Sequence, residues 1–422
     1  MNRLFVLFVY NLVSFPIFIL VYPFVGFFNP KFKQAQLVRK QLIFDVLLLR
    51  NKMKNGEKLV WIHSASMGEF EQARPVISAL KKENPDVKII STFMSPSGYE
   101  NRKNYLEVDL TQYIPLDFYW SVSQFYSALK PDIGIIIRYE FWPNLILSAS
   151  RYNVPLYLIC ASLKQDSTYG KLYAKWFFKP IFLAYKKILT VNENHTKRYK
   201  EIIPEHPGIE TVGDTRFDQV ILRSKQVSEE IKMMRDESKI TFIIGSSWEL
   251  DEAVLFPAFS KLKKEFPQFR IIIVPHEIHN EKLEQLRSTF SDLSVEAFSE
   301  MNNNSFDILF VDVMGKLLQL YCTADFAYIG GGFGSGIHNV LEAGVFGIPI
   351  AYGPRFQRSP EGVEMAEQKI STVIQSQADA EKWMKKMITD KNERIRLGNQ
   401  TKDFIFRLQG VTEKIVDQIG IR

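Results

Sequence analysis

The stretch Gly330-Gly331-Gly332-Phe333-Gly334-Ser335-Gly336-Ile337-His338-Asn339 follows the apolar run Phe326–Ile329 and leads into Val340-Leu341-Glu342-Ala343 and then Gly347-Ile348-Pro349-Ile350. An apolar strand, a glycine turn, a helix and a second apolar strand form the repeating unit of a doubly wound α/β sheet. Glycines let backbone N–H groups approach an anion closely, and a helix beginning near His338 would aim its positive end at the same place. The segment therefore reads as a phosphate cradle in which Gly331, Gly332, Gly334, His338 and Asn339 meet a bound nucleotide. On the next turn of the expected helix, Glu342 would accept hydrogen bonds from the two vicinal hydroxyls of a ribose. The competing reading is a glycine loop that merely joins two strands.

Outward from this segment, strand-length apolar runs alternate with helix-length amphipathic ones. The first half offers 59–63, 88–92, 133–137, 156–159 and 188–191, and the second half 240–245, 270–274, 308–311, 326–329 and 348–352. Continuous rather than alternating apolar runs fit parallel strands buried on both faces. The expected fold class is α/β, with two doubly wound Rossmann-like domains at 31–225 and 226–422, the second carrying a terminal helix. The boundary falls in a charged segment containing Lys225, Glu229, Glu230 and Lys232. A chain of 422 residues with 46% hydrophobic and 24% charged residues supports cores of this size. The net charge of +6, without any nucleic-acid-binding motif, suits an anionic substrate or membrane surface and speaks against nucleic acid as a partner. Cys160 and Cys322 stand in apolar contexts with no Cys/His ligand spacing, so neither metal nor cofactor is expected.

Residues 1–30 differ in kind. No charge occurs from Leu4 to Phe28, a run long enough to cross a bilayer, with Asn11 and Ser14 as polar interruptions. It reads as a membrane anchor, either spanning or lying in the interface, the rival reading being a cleaved signal peptide, for which no small-x-small cleavage site follows the apolar run. Arg3 precedes it, whereas Lys31, Lys33, Arg39, Lys40, Arg50, Lys52 and Lys54 follow, which places the following side in the cytoplasm. The α/β domains are expected to stay folded without it, on cores of their own.

Ligands of such sheets sit at the carboxyl ends of the strands. One such end carries Ser64-Ala65-Ser66-Met67-Gly68-Glu69-Phe70 and another carries Arg138-Tyr139-Glu140-Phe141-Trp142-Pro143. Glu69 fits either a helix cap or a catalytic carboxylate. Glu140, set among aromatic rings, should be partly desolvated with a raised pKa, which suits proton transfer or support of the other glutamate. Gly245-Ser246-Ser247-Trp248 ends a strand of the second half, where Ser246 would serve a phosphate or cap a helix.

Taken in order behind the apolar N-terminus, Ser64-Ala65-Ser66-Met67-Gly68-Glu69, Tyr139-Glu140-Phe141-Trp142-Pro143-Asn144, Gly213-Asp214-Thr215-Arg216-Phe217-Asp218 and His338-Asn339-Val340-Leu341-Glu342 resemble the 3-deoxy-D-manno-octulosonic acid (Kdo) transferases of lipopolysaccharide synthesis. The resemblance implies the two-domain GT-B architecture, an acceptor-binding first domain and a donor-binding second domain facing a cleft. It further implies CMP-Kdo as donor, a lipid A precursor as acceptor, and work at the cytoplasmic face of the bacterial inner membrane. By the same resemblance Glu69 is the base of an inverting transfer, Glu140 the second essential carboxylate, and Asn339 and Glu342 hold the donor; Ser66 and Gly68, beside Glu69, are expected to line the acceptor. The chain departs from the family pattern at Pro275-His276-Glu277-Ile278-His279, where Pro-Arg-His is usual, so that His276 or His279 would replace a cationic donor contact. It also has Gly334-Ser335-Gly336-Ile337 where many relatives have His-Gly-Gly. Alternatives of the same architecture are a UDP-sugar lipid glycosyltransferase and a nucleotide-sugar epimerase, the latter having no need of an anchor. A tethered nucleotide sensor would leave Glu69 and Glu140 without a task.

Overall fold

Apolar runs that are buried on both faces assemble into two parallel sheets, each of seven strands among the described residues. The structure is a computed structural model that describes residues 3–164, 167–301 and 304–421. The first sheet comprises β1 (Leu59–Ser64), β2 (Lys88–Phe93), β3 (Leu110–Tyr113), β4 (Ile133–Ile137), β5 (Leu156–Ala161), β6 (Lys187–Thr190) and β7 (Ile209–Thr211), in the order β3-β2-β1-β4-β5-β6-β7. The second comprises β8 (Ile240–Ser247), β9 (Phe269–Pro275), β10 (Val295–Ala297), β11 (Ile308–Phe310), β12 (Phe326–Ile329), β13 (Ile350–Tyr352) and β14 (Ser371–Val373), in the order β10-β11-β9-β8-β12-β13-β14. Both orders reverse direction once, between β1 and β4 and between β8 and β12. At such a switch point the two flanking loops diverge and leave a crevice at the carboxyl edge. The loops after β1 and β4 carry Glu69 and Glu140. The end of β8 carries Ser246, and the loop after β12 is the glycine-rich segment.

The chain divides into a unit of Met1–Gln219 with Gly410–Arg422 and a unit of Val220–Gln409. The terminal segment thus belongs with the first unit, whereas the expected division at 226–422 gave it to the second. The reason is a hydrophobic stripe: Val411, Ile415, Val416 and Ile419 of the helix Val411–Ile419 are buried in one core with Val60, Ile62 and Phe70. Asp218 fixes its start by accepting from the N–H groups of Gly410 and Thr412 at 2.7 and 2.6 Å.

The N-terminal helix α1 (Arg3–Phe28) does not stand apart from the first unit. Val6 and Ser14 are buried, and these positions with Tyr10 and Phe18 fall at helical spacing on one face. Phe18 packs edge-on against Phe118 with ring centroids 5.1 Å apart, Tyr10 meets Phe177 at 6.3 Å, and Asn11 donates to Asn144 Oδ1 at 2.8 Å. The two polar residues that interrupt the apolar run are therefore the ones turned toward the protein. The opposite face leaves Leu4, Phe8, Leu12, Val13, Ile19, Leu20 and Phe24 exposed. The segment expected to be detachable thus has a packing role: removing α1 would bare Phe118 and take Asn11 from the buried Asn144, leaving it only Asp117 among these partners. Deleting residues 1–28 should lower the urea midpoint of the first unit while leaving that of the second unchanged, both measured in the same detergent. Identical midpoints for both units, with and without α1, would contradict this packing role.

Candidate active site

Glu69 is the third residue of the helix Met67–Glu83, which starts directly after β1. Its Oε2 accepts the N–H groups of Ala65 at 2.5 Å and Ser66 at 3.3 Å, so the side chain folds back over the helix start. The capping role expected of it is thus present. Oε1 makes no hydrogen bond among the described residues, and the side chain is only 5% exposed. Burial raises its pKa, the charge of Glu140 raises it further, and the Ala65 N–H, Arg138 and the Ser66 N–H act in the opposite sense. Burial and the like charge win, leaving the carboxyl at about 7. Ser66 is half-buried, and Gly68 is exposed with nothing within 4 Å of where a Cβ would lie, so no packing demand explains that glycine.

Glu140 follows Arg138, which takes a left-handed turn at φ 68° on leaving β4. Its Oε2 accepts from Trp142 Nε1 at 2.7 Å, and its main-chain carbonyl accepts from Tyr185 Oη at 3.1 Å. Burial pushes its pKa up and the Trp142 bond offsets part of that, the environment expected for a glutamate among aromatic rings. The helix Pro143–Ala149, just beyond, is fixed by buried Asp117, whose two oxygens accept the N–H groups of Asn144 and Leu145 at 3.1 and 2.8 Å. Two carboxyls with raised pKa values thus share the switch-point crevice of the first sheet, and one is half-ionised at neutral pH. That arrangement suits a general base.

In the second unit the glycines do a different job from the one expected. Gly331 has φ 92°, and a Cβ there would lie 2.3 Å from the Gly336 carbonyl oxygen; at Gly332 it would lie 2.4 Å from the Gly353 nitrogen. These glycines let backbone pack on backbone. The N–H of Gly331 donates to Asp251 Oδ2 at 2.7 Å and that of Phe333 to Oδ1 at 3.3 Å, and the fully buried Asp251 also accepts from the Trp248 N–H at 3.1 Å and from Tyr328 Oη at 2.9 Å. The N–H groups of Gly334 and His338 donate to the carbonyls of Gly331 and Gly330. A cradle built from the N–H groups of Gly331, Gly334 and His338 is therefore not what the loop offers, since a protein carboxylate and carbonyls already hold them. Those of Gly332 and Asn339 make none of these bonds. The expected helix from His338 is also shorter and later, spanning only Leu341–Gly344, so it brings no appreciable dipole.

Side chains rather than N–H groups face outward here. Asn339 is exposed, with its Oδ1 accepting the Leu341 N–H at 3.1 Å. Glu342 pairs with Arg223, Oε1 to Nη1 3.4 Å. Ser246 is left-handed at φ 54°, at the irregular end of β8. His276 reaches the same edge from the end of β9 and stacks on Trp248 and His338 at centroid distances of 4.4 and 4.5 Å. His279 instead faces Glu277 at 3.6 Å. Trp248 is the member that sequence reasoning passed over. A tryptophan directly after a strand was visible in Gly245-Ser246-Ser247-Trp248, yet only the neighbouring of β9, β8 and β12 brings it to the two histidines.

A family profile described as 3-deoxy-D-manno-octulosonic-acid transferase (kdotransferase) matches residues 40–219. A 3-deoxy-D-manno-octulosonic acid transferase of Rickettsia felis is 28% identical over 316 residues, covering 72% of this chain and 66% of the relative, so the match spans just under two thirds of that protein's length. The transferase of the same description from Haemophilus influenzae is 25% identical over 369 residues, 85% of this chain and 86% of that one. Among solved structures, the UDP-GlcNAc 2-epimerase of Neisseria meningitidis superposes with a TM-score of 0.60 at 14% identity, over 86% of this chain and 99% of that one, a likeness of fold alone. The two switch-point sheets are those of a GT-B fold, and the matches in sequence make this chain similar to the Kdo transferases, a family of glycosyltransferases.

Proposed function

We propose that the chain transfers Kdo from CMP-Kdo to a lipid A precursor with inversion at the anomeric carbon, and that Glu69 is the general base. The observation that carries this reading is the pairing of buried Glu69 with half-buried Glu140, with Glu69 held at about 7. The Glu69 carboxylate takes the proton of the acceptor hydroxyl as its oxygen bonds to the anomeric carbon. The bond from that carbon to the CMP phosphate oxygen breaks, and CMP leaves with the electron pair. Glu140 acts through Glu69, since its charge helps to keep the base weakly acidic at rest. Ser66 and exposed Gly68 border the acceptor hydroxyl. On the donor side Ser246, His276, His338 and Asn339 are the polar groups proposed for the phosphate, with Gly332 the glycine whose N–H is not spent within the loop. Gly331 and Gly334 serve by shaping that loop. Glu342 is proposed for the ribose, sharing its charge with Arg223.

The exposed face of α1, continued by Leu172 and Tyr173, is read as resting in the cytoplasmic leaflet of the bacterial inner membrane, because its other face is committed to the first unit. Lys31 and Lys33, directly beyond, suit anionic headgroups.

Incubation of the protein with labelled CMP-Kdo or UDP-sugars and a lipid A precursor tests the reaction: label should pass to lipid from CMP-Kdo and not from the UDP-sugars, and the opposite preference sinks the reading. Replacing the base by Glu69→Gln should reduce turnover by about 100- to 10,000-fold while CMP still binds. A loss under about tenfold would remove Glu69 from the mechanism. Because Glu69 must be ionised to accept a proton, kcat/KM should fall as pH drops through about 7. In Glu140→Gln the like charge is gone, so this acidic limb should move to lower pH; an unmoved limb would separate Glu140 from the base. Glu342→Ala should weaken CMP binding by about 1.5–3 kcal/mol, read by calorimetry, and unchanged affinity would exclude the ribose role.

A further inference from the structure

Trp248 and His338 lie side by side in nearly one plane. Their rings are inclined by only 8°, their centroids are 6.4 Å apart, and Trp248 Nε1 is 3.0 Å from His338 Nε2. His276 lies flat across this pair. Gly331 lies against the His338 ring, where a Cβ would come within 3.3 Å of His338 Cδ2. The imidazole is thus confined by a glycine that leaves it room, a ring stacked on it and a hydrogen bond in its plane.

The hydrogen bond has a consequence that follows from chemistry alone. An indole nitrogen can only donate, so His338 Nε2 must accept and cannot carry a proton. A neutral His338 then bears its proton on Nδ1, and the doubly protonated cation is excluded as long as the bond holds. Burial and the neighbouring His276 both lower the pKa of His338 and Asp251 alone opposes them, which agrees with a neutral ring. Among the described residues Nδ1 has no hydrogen-bond partner, so its N–H is available to a ligand.

We propose that Trp248 is a positioning residue of the donor site, which locks His338 in the Nδ1–H tautomer so that this imidazole presents a neutral, directed N–H to a phosphate oxygen of the bound nucleotide. The inference rests on the donor-site reading given above and adds the device that prepares it. His338 then neither supplies a cation nor passes a proton to the departing CMP; it stabilises the developing charge by a hydrogen bond whose direction is set before the donor arrives. A free imidazole prefers the proton on the other nitrogen, so without the indole N–H the competent tautomer would become the minority form.

The test uses the full chain with nitrogen-15-labelled histidine and CMP as the probe. In the free wild-type protein, His338 should show a protonated Nδ1 and a bare Nε2. Trp248→Phe keeps a ring for His276 to stack on but removes the donor. It should shift His338 toward Nε2–H and, if roughly one molecule in five keeps the competent tautomer, raise the Kd of CMP about fivefold. In His338→Asn the amide N–H replaces the Nδ1–H whatever residue 248 is, so adding Trp248→Phe there should leave the Kd unchanged. An Nε2–H tautomer in the wild type, or an equal effect of Trp248→Phe in both backgrounds, overturns the proposal. Failure of the wild type to bind CMP would instead overturn the donor-site reading itself, and the spectrum of the free protein tells the two failures apart.

Discussion

A parallel sheet buried on both faces must end each strand in a loop whose backbone N–H groups lie close to the core, and no such group can be left without an acceptor. In this chain buried acidic side chains meet that constraint. Glu69 takes two N–H groups after β1, Asp117 holds the start of the helix that follows Glu140, and Asp251 gathers three N–H groups and a tyrosine hydroxyl under the glycine-rich loop after β12. Asp218 does the same for the terminal helix of the first unit. Both switch-point edges are therefore shaped by carboxylates that accept from the main chain.

Glu69 shows how the same requirement yields a reactive group. A carboxylate accepting backbone N–H groups would ordinarily be a strong acid, yet burial together with the charge of Glu140 outweighs those bonds and brings it to about 7. The sign of the linkage follows. A folded-state pKa above the unfolded value means that the protonated form favours folding, and that this contribution is present below the ordinary carboxylate range and lost as pH rises through about 7. Ionising Glu69 thus works against stability, a trade that its proposed role as base would require. Asp251 is the contrasting case: with Oδ1 accepting twice and Oδ2 accepting twice, it is committed to structure.

Much of this was readable from sequence wherever apolar runs were continuous. β1, β2, β4, β5 and β6 of the first sheet and β8, β9, β11, β12 and β13 of the second fall on the expected runs to within a few residues. The strands that were not anticipated, β3, β7, β10 and β14, are the outermost of their sheets. They are short and carry Thr111 and Gln112, Glu210, Glu296, or Ser371 and Thr372, since an edge strand need not be apolar throughout and so has no strand-like signal of its own. The glycine loop was read for its permissiveness, which is real, but its purpose depends on Gly353 and Asp251, which only the fold brings to it. Likewise the apolar character of α1 was plain, whereas its fixed inner face hinges on Phe118 and Asn144, which lie far away in the chain. The membership of one ring group by Trp248, His276 and His338 is another product of strand order.

The central claim is that burial beside a second carboxyl turns a helix-capping glutamate into a base suited to neutral pH. Its most direct test is a carbon-13 NMR titration of the Glu69 side-chain carboxyl in the free protein, with the resonance assigned by its absence in Glu69→Gln. The account predicts a midpoint near 7. A midpoint in the ordinary range of about 4 to 5 would contradict it, whatever the enzyme then proved to transfer.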